Sequence, residues 1–141
     1  MRIVENMCRP MKEYFEKGLK ITREVGERSV EGSFLSESAE MESDTGVSGK
    51  AKTYFKEALK IFKKVGDIDQ KASTLRNLAS VYQMDDDIRT AESYLKISLG
   101  MIKQIGNKTE ESALLGTLGD LYYSQGEYES MRGRCISTNK N

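Results

Sequence analysis

Three stretches of this chain superpose without a gap: residues 14–26, 54–66 and 94–106. Tyrosine (Tyr14, Tyr54, Tyr94), leucine (Leu19, Leu59, Leu99) and glycine (Gly26, Gly66, Gly106) each return at steps of 40 residues. A fixed period of this length marks a solenoid, in which every supersecondary unit buries its apolar face on its neighbours. The period therefore constrains the architecture more than any composition value does.

Each repeat contains two kinds of helical pattern. In the first, Ala51, Phe55, Ala58, Leu59 and Phe62 fall on one face of a 3.6-residue helix. Ala91, Leu95, Ser98, Leu99 and Ile102 repeat those spacings, and Met11, Phe15, Gly18 and Leu19 repeat the first four. Each of these helices stops at a glycine after a β-branched residue, where a left-handed turn is expected. Pro10, directly before Met11, fits a helix start, where its missing N–H does no harm. In the second pattern Leu75, Leu78, Ala79 and Tyr82 share a face, matched 40 residues on by Leu115, Leu118, Gly119 and Tyr122. The small residue at Ala79 and Gly119 predicts close helix approach, with the tyrosines packed over it. Asp85-Asp86-Asp87 and Ser124-Gln125-Gly126 supply turn residues before the next helix. The unit is an antiparallel hairpin, helix A then helix B, stacked on the next.

This spacing resembles the tetratricopeptide repeat family. The family's helix A slots hold Leu75, Leu78, Ala79 and Tyr82, and its helix B slots hold Ala91, Leu95 and Ser98. The next unit supplies Leu115, Leu118, Gly119 and Tyr122, then Met131 where alanine is usual. The period of 40, with Gly66-Asp67 and Gly106-Asn107 junctions instead of a proline, is similar to the longer subclass of kinesin light chains and Pins-type spindle-orientation adaptors. The resemblance covers residues 11–131 and implies an all-α superhelix of stacked hairpins.

The expected organisation is an N-terminal lead over 1–10, an array over 11–131 and an irregular tail over 132–141. Within the array, 11–28 is helix B of a partial repeat, 29–68 a degenerate repeat, 69–108 a repeat and 109–131 a truncated one. The degenerate unit is the weak point. Stepping back 40 from the core slots of the second unit gives Leu35, Ser38, Ala39 and Glu42, two of them polar. Residues 36–49 read partly as an acidic linker, and low hydrogen-exchange protection is expected there. A diverged repeat, an imperfect gene model and a regulatory loop with phosphosites at Ser36, Ser38 and Ser43 all fit this composition. A chain that opens on a helix B and closes on a shortened one lacks polar caps. The expectation is a fragment of a longer array whose isolated chain self-associates through uncapped ends or is marginally stable.

The chemistry that is absent narrows the function. There is no histidine, so the commonest general base and zinc ligand are missing. Cys8 and Cys135 have no partner at metal-ligand spacing and read as reduced thiols, and no phosphate-binding glycine motif occurs. No enzyme, no cofactor and no metal are expected. Lys+Arg and Asp+Glu are both 22, so no net field points to nucleic acid or an anionic membrane. No apolar run reaches the roughly 18 residues of a membrane span. The N-terminus lacks the apolar core of a signal peptide, since Glu5 and Arg9 interrupt it, and a cytoplasmic location is expected. The lysine stripe Lys52, Lys56, Lys60 and Lys63/Lys64 reads as charge balanced by the acidic residues 31–44.

The expected function is non-catalytic protein–protein interaction, as part of a larger adaptor whose concave groove holds a peptide or partner protein. The alternative is a structural or sensory array regulating a catalytic or DNA-binding domain on the same polypeptide. By the resemblance, the groove is lined by the helix A face beside the core: Ser73, Arg76, Asn77, Ser80 and Gln83 in the second unit, and Thr117, Asp120 and Tyr123 in the third. Arg76 would offer a planar fork to a carboxylate, and Asn77 would pair with a peptide backbone.

Overall fold

The computed structural model describes the backbone of residues 2–130 and the side chains of residues 7–126. Over that span the chain forms six helices: α1 (Arg2–Val25), α2 (Arg28–Asp44), α3 (Ser48–Val65), α4 (Ile68–Met84), α5 (Ile88–Ile105) and α6 (Lys108–Ser130). Met131 and the tail expected over 132–141 lie outside the described residues. The architecture is an all-α solenoid. α2 pairs with α3 and α4 with α5 as antiparallel hairpins, while α3 against α4 and α5 against α6 join one unit to the next.

The helix ends follow from local chemistry. Gly66 and Gly106 adopt φ of 75° and 73° just past α3 and α5, a region where a Cβ would be strained. α4 and α5 start at Asp67 and Asp87, whose carboxylates accept from the N–H groups of Gln70 and Thr90 at 3.0 and 3.2 Å. Asn107 does the same for Glu110 at 3.1 Å. Each satisfies a donor that the first turn leaves free.

The core is a chain of small clusters that pass from unit to unit. Leu19, Leu35, Ala58, Ile61 and Phe62 form one, Ala39, Ala51, Phe55, Leu78 and Val81 the next. A third joins Ala72, Ala79, Leu95 and Ile102 to Leu114, Leu118 and Leu121 of α6. Volumes compensate across the repeat. Gly32 of α2 faces the fully buried Phe62 so closely that a Cβ there would sit 2.8 Å from the ring. Forty residues on, the same two slots hold Ala72 and Ile102. A larger ring takes glycine opposite, and a smaller side chain takes alanine. In that second hairpin Ser98 Oγ donates to the Ala72 carbonyl at 2.8 Å, so the hydroxyl is satisfied in the core.

Four sequence expectations are corrected. Residues 36–44 are not linker: α2 is continuous to Asp44, and Ser38, Ala39, Met41 and Glu42 are buried. The polar core slots survive because α1 brings charges to them. Lys12 Nζ lies 3.4 Å from Glu42, which is 3% exposed, and Arg23 Nε lies 3.0 Å from the buried Glu31. Pro10 is inside α1 and does not start it; the helix runs through it at the loss of one backbone bond. No turn forms at residues 124–126, and α6 continues to Ser130. The slot held by the capping Asp87 carries Glu127 here, outside the preferred N-cap set. Leu115 and Tyr122, expected in the core, are 51% and 53% exposed. Among the described residues no helix packs on their side of α6.

Candidate partner-binding face

The helices A, α2, α4 and α6, lie side by side and are bridged along one face. Asn77 Nδ2 donates to Glu40 Oε1 at 3.3 Å, and Ser43 Oγ lies 3.9 Å from the Met84 sulfur, joining α2 to α4. Arg76 Nη1 lies 3.2 Å from Glu110 Oε1, joining α4 to α6. At the entry to α6, Asn107 Nδ2 donates to Asp69 Oδ1 at 3.2 Å. A cleft of about 250 Å³ opens between α2 and α4, bordered by Glu40, Ser43, Asp44, Asn77 and Ser80, with Phe55 and Val81 at its base. A larger cleft of about 570 Å³ lies between the helices B α1 and α3, where Arg23 and Glu57 pair across it at 3.5 Å.

The residues singled out from the sequence are placed as follows. Asn77 and Ser80 border the α2–α4 cleft. Ser73, Arg76 and Gln83 are half-buried on the same helix. Arg76 does not present a free fork, because Glu110 already holds one side of it, and Asn77 is engaged by Glu40. Ser80 and Thr117 turn their hydroxyls back to the carbonyls of Arg76 and Ala113, at 3.3 and 2.9 Å. On α6, Thr117 is half-buried, and Asp120 and Tyr123 are exposed.

The α2 wall was missed by sequence reasoning. Glu37, Glu40, Ser43 and Asp44 stand 40 residues before Asn77, Ser80, Gln83 and Met84, so the period itself held the signal. Reading residues 36–49 as linker hid it. The wall is acidic: burial, then the charges of Asp44 and Glu37, push the Glu40 carboxyl above the usual glutamate range. The lysine stripe of α3 is also engaged within the protein, though not with residues 31–44. Lys52 Nζ sits 2.6 Å from Asp85 and 4.3 Å from the centroid of Tyr82, and Lys56 lies 5.7 Å from the same ring. The hydrogen bond from Lys52 holds the Asp85 carboxyl below its ordinary range. The Tyr82 and Tyr94 rings pack at 5.5 Å with their planes tilted by 43°, so α3, α4 and α5 meet at one aromatic and cationic joint.

Six helices in alternating A and B roles, with a polar face running across the A helices, define a helical-repeat protein. The tetratricopeptide repeat profile matches residues 30–104 and again residues 70–130, and the chain belongs to that family. Such repeats generally mediate protein–protein interaction and generally serve as non-catalytic scaffolds. Among solved structures, the chain is similar to BtubC (BKLC) from P. vanneervenii, with a TM-score of 0.78 and 23% identity. The match takes in 88% of this chain and 51% of that one, so the chain spans about half the length of that structure. At this identity the likeness speaks for the fold. No curated protein matches the sequence significantly. Among the described residues no helix is long and apolar enough to cross a membrane.

Proposed function

We propose that the face of α2, α4 and α6 is a concave groove that holds a segment of a protein partner. In this reading the chain is a non-catalytic adaptor module of the 40-residue subclass similar to kinesin light chains and Pins-type proteins, acting in the cytoplasm within a longer polypeptide. The observation that carries it is the α2–α4 cleft. There an apolar base of Phe55 and Val81 is edged by Glu40, Asp44, Asn77 and Ser80, the mix of contact area and orienting polar groups that a peptide needs. Glu37, Glu40 and Asp44 on one wall and Asp120 beyond favour a segment with basic side chains. Arg76 is held by Glu110, so a partner carboxylate would have to compete for it.

The test begins with affinity capture by the repeat segment and identification of the bound protein. Binding of that partner to variants is then measured by fluorescence anisotropy. Asp44→Asn and Asn77→Ala should each weaken it by about 1–3 kcal/mol, the range for losing a charged or buried hydrogen bond. Helix content should not change, because neither side chain is in the core. Unaltered binding in both, or loss only on changing Lys56 and Lys60 of α3, overturns the assignment.

A further inference from the structure

One slot of the repeat reverses its charge in the middle unit. In the first unit it holds Glu31, which is 6% exposed and bridges two cations, Arg23 Nε at 3.0 Å and Arg28 Nη1 at 3.4 Å. In the third unit it holds Glu111, paired with Lys108 at 3.1 Å. In the second unit the same slot holds Lys71, and Lys63 stands where the first unit has Arg23. A carboxylate among cations has become two cations without a carboxylate. Among the described residues neither Lys63 nor Lys71 makes an ion pair. The acids that open α4 are committed elsewhere. Asp67 caps the helix through the N–H of Gln70, and Asp69 accepts from Asn107 Nδ2.

The two lysines line one cavity of about 230 Å³, where α3 turns into α4 beside the last turns of α5. Phe62, Ile68 and Met101 give it an apolar lining, and Ile68 is 42% exposed. The first unit has Arg28 in the place of Ile68, so an ion-pair cluster there is exchanged for open apolar surface here. The cavity shares no residue with the α2–α4 cleft. We infer that it is a second docking site, which takes an acidic segment of a protein partner. An apolar side chain of that segment rests on Ile68 and Met101. A neighbouring carboxylate gives Lys63 and Lys71 the anion that Glu31 and Glu111 provide within their own units. Two ammonium groups beside an apolar wall focus a positive potential on the cavity, and a carboxylate takes charge-assisted hydrogen bonds from both. Asp67 also lines the cavity, so a phosphate dianion meets more repulsion there than a carboxylate does. The segment is opposite in charge to the one that suits the α2–α4 cleft, so the two sites sort their partners by sign.

The experiment titrates the full, isotope-labelled chain and follows its backbone amides by NMR. The probes are two short acetylated and amidated peptides, with Glu-Leu-Glu or Gln-Leu-Gln set between glycines and serines, and sodium phosphate. The acidic peptide should shift the amides of Ile68, Lys71 and Met101 along a saturable curve and leave those of Glu40 and Asn77 in place. The Gln-Leu-Gln peptide should bind about tenfold more weakly or worse, the cost of losing a charge-assisted hydrogen bond. Lys71→Glu installs the residue of both flanking units, so it should fold with an unreduced melting temperature and lose the acidic peptide by at least the same factor. Lys71→Gln removes the charge without adding another and should show the same loss, which covers the case of a Lys71→Glu chain that does not fold. Lys60→Gln, on α3 outside the cavity, should leave the affinity unchanged. The inference is overturned by an acidic peptide that shifts none of the three amides, by equal affinity for the two peptides, or by a folded Lys71 variant that binds like the wild type. Equal loss in Lys60→Gln overturns it as well, since attraction to lysines in general would then explain the binding. Phosphate that shifts the three amides where the acidic peptide does not would make the cavity an inorganic anion site and sink the partner segment.

Discussion

The pairing of Gly32 with Phe62 and of Ala72 with Ile102 makes one substitution informative about the whole repeat. In an open helix, Gly→Ala stabilises by about 1 kcal/mol because backbone entropy is no longer lost on folding. At Gly32 the new methyl would lie 2.8 Å from the Phe62 ring. Comfortable carbon contacts begin at about 3.5–4.0 Å, so the ring must withdraw by roughly 1 Å. Phe62 is 1% exposed and packs among Leu19, Leu35, Ala58 and Ile61, so moving the ring disturbs those contacts. Overpacking of this kind costs about 1–3 kcal/mol, which leaves Gly32→Ala destabilising by about 1 kcal/mol net. Phe62→Ile alone removes ring volume and should cost about 1–2 kcal/mol. Together the two changes recreate the pair of the second unit, because the methyl fills part of the space the ring leaves. The double variant should therefore lose less than the sum, with a coupling on the order of 1–2 kcal/mol. Urea denaturation followed by far-UV circular dichroism reads each value. Gly100→Ala is the control: it lies within α5 with nothing within 4 Å of an added Cβ, and should stabilise by about 0.5–1 kcal/mol. If Gly32→Ala stabilises as Gly100→Ala does, or if the double variant is strictly additive, the volume argument is wrong.

Glu40 gives a pH prediction with a definite sign. Its folded carboxyl is raised above the ordinary 4.5 by burial and then by Asp44 and Glu37. Its favourable contribution is therefore complete below the unfolded value and is lost as pH rises through the folded one. Glu40→Gln should raise the melting temperature at neutral pH while keeping the bond to Asn77, and the gain should shrink on acidification; a pH-independent difference would refute this. In hydrogen exchange, the amides of Ala39, Met41 and Glu42 should be protected like those of residues 72–82, because they lie inside a packed helix. Exchange at the rate of residues 45–47 would reinstate the linker.

The period of 40 was enough to identify the helix order, the glycine stops and the core slots Leu75, Leu78, Ala79, Leu95 and Ile102. Those depend on local pattern and on packing that every unit shares. α2 was misread because its polarity makes sense only with its neighbour in place. Ser38, Glu31 and Glu42 look like surface residues until Lys12 and Arg23 of α1 are set against the two carboxylates. The site was legible on α4 and α6 to the extent of which residues share a face. Their engagement was not, because the Arg76–Glu110 and Asn77–Glu40 pairs form between helices more than 30 residues apart. Leu115 and Tyr122 carry the core pattern in sequence, yet pattern alone does not say whether a covering helix is present.

The joint between α1 and α2 and the joint between α3 and α4 use the same slots, with opposite chemistry. Lys12 meets Glu42 in the first, and Lys52 meets the ring of Tyr82 in the second. An ion pair whose carboxylate is buried returns little beyond the hydration it gives up, whereas the aromatic joint adds apolar burial and the Tyr94 ring. In a linear array folding can nucleate in any unit and propagate to its neighbours, and a more stable joint favours its own units as the start. For a chain made from its N-terminus, α1 and α2 emerge before the Tyr82 joint they build upon. The joint between α1 and α2, although synthesised earlier, then closes after the joint between α3 and α4.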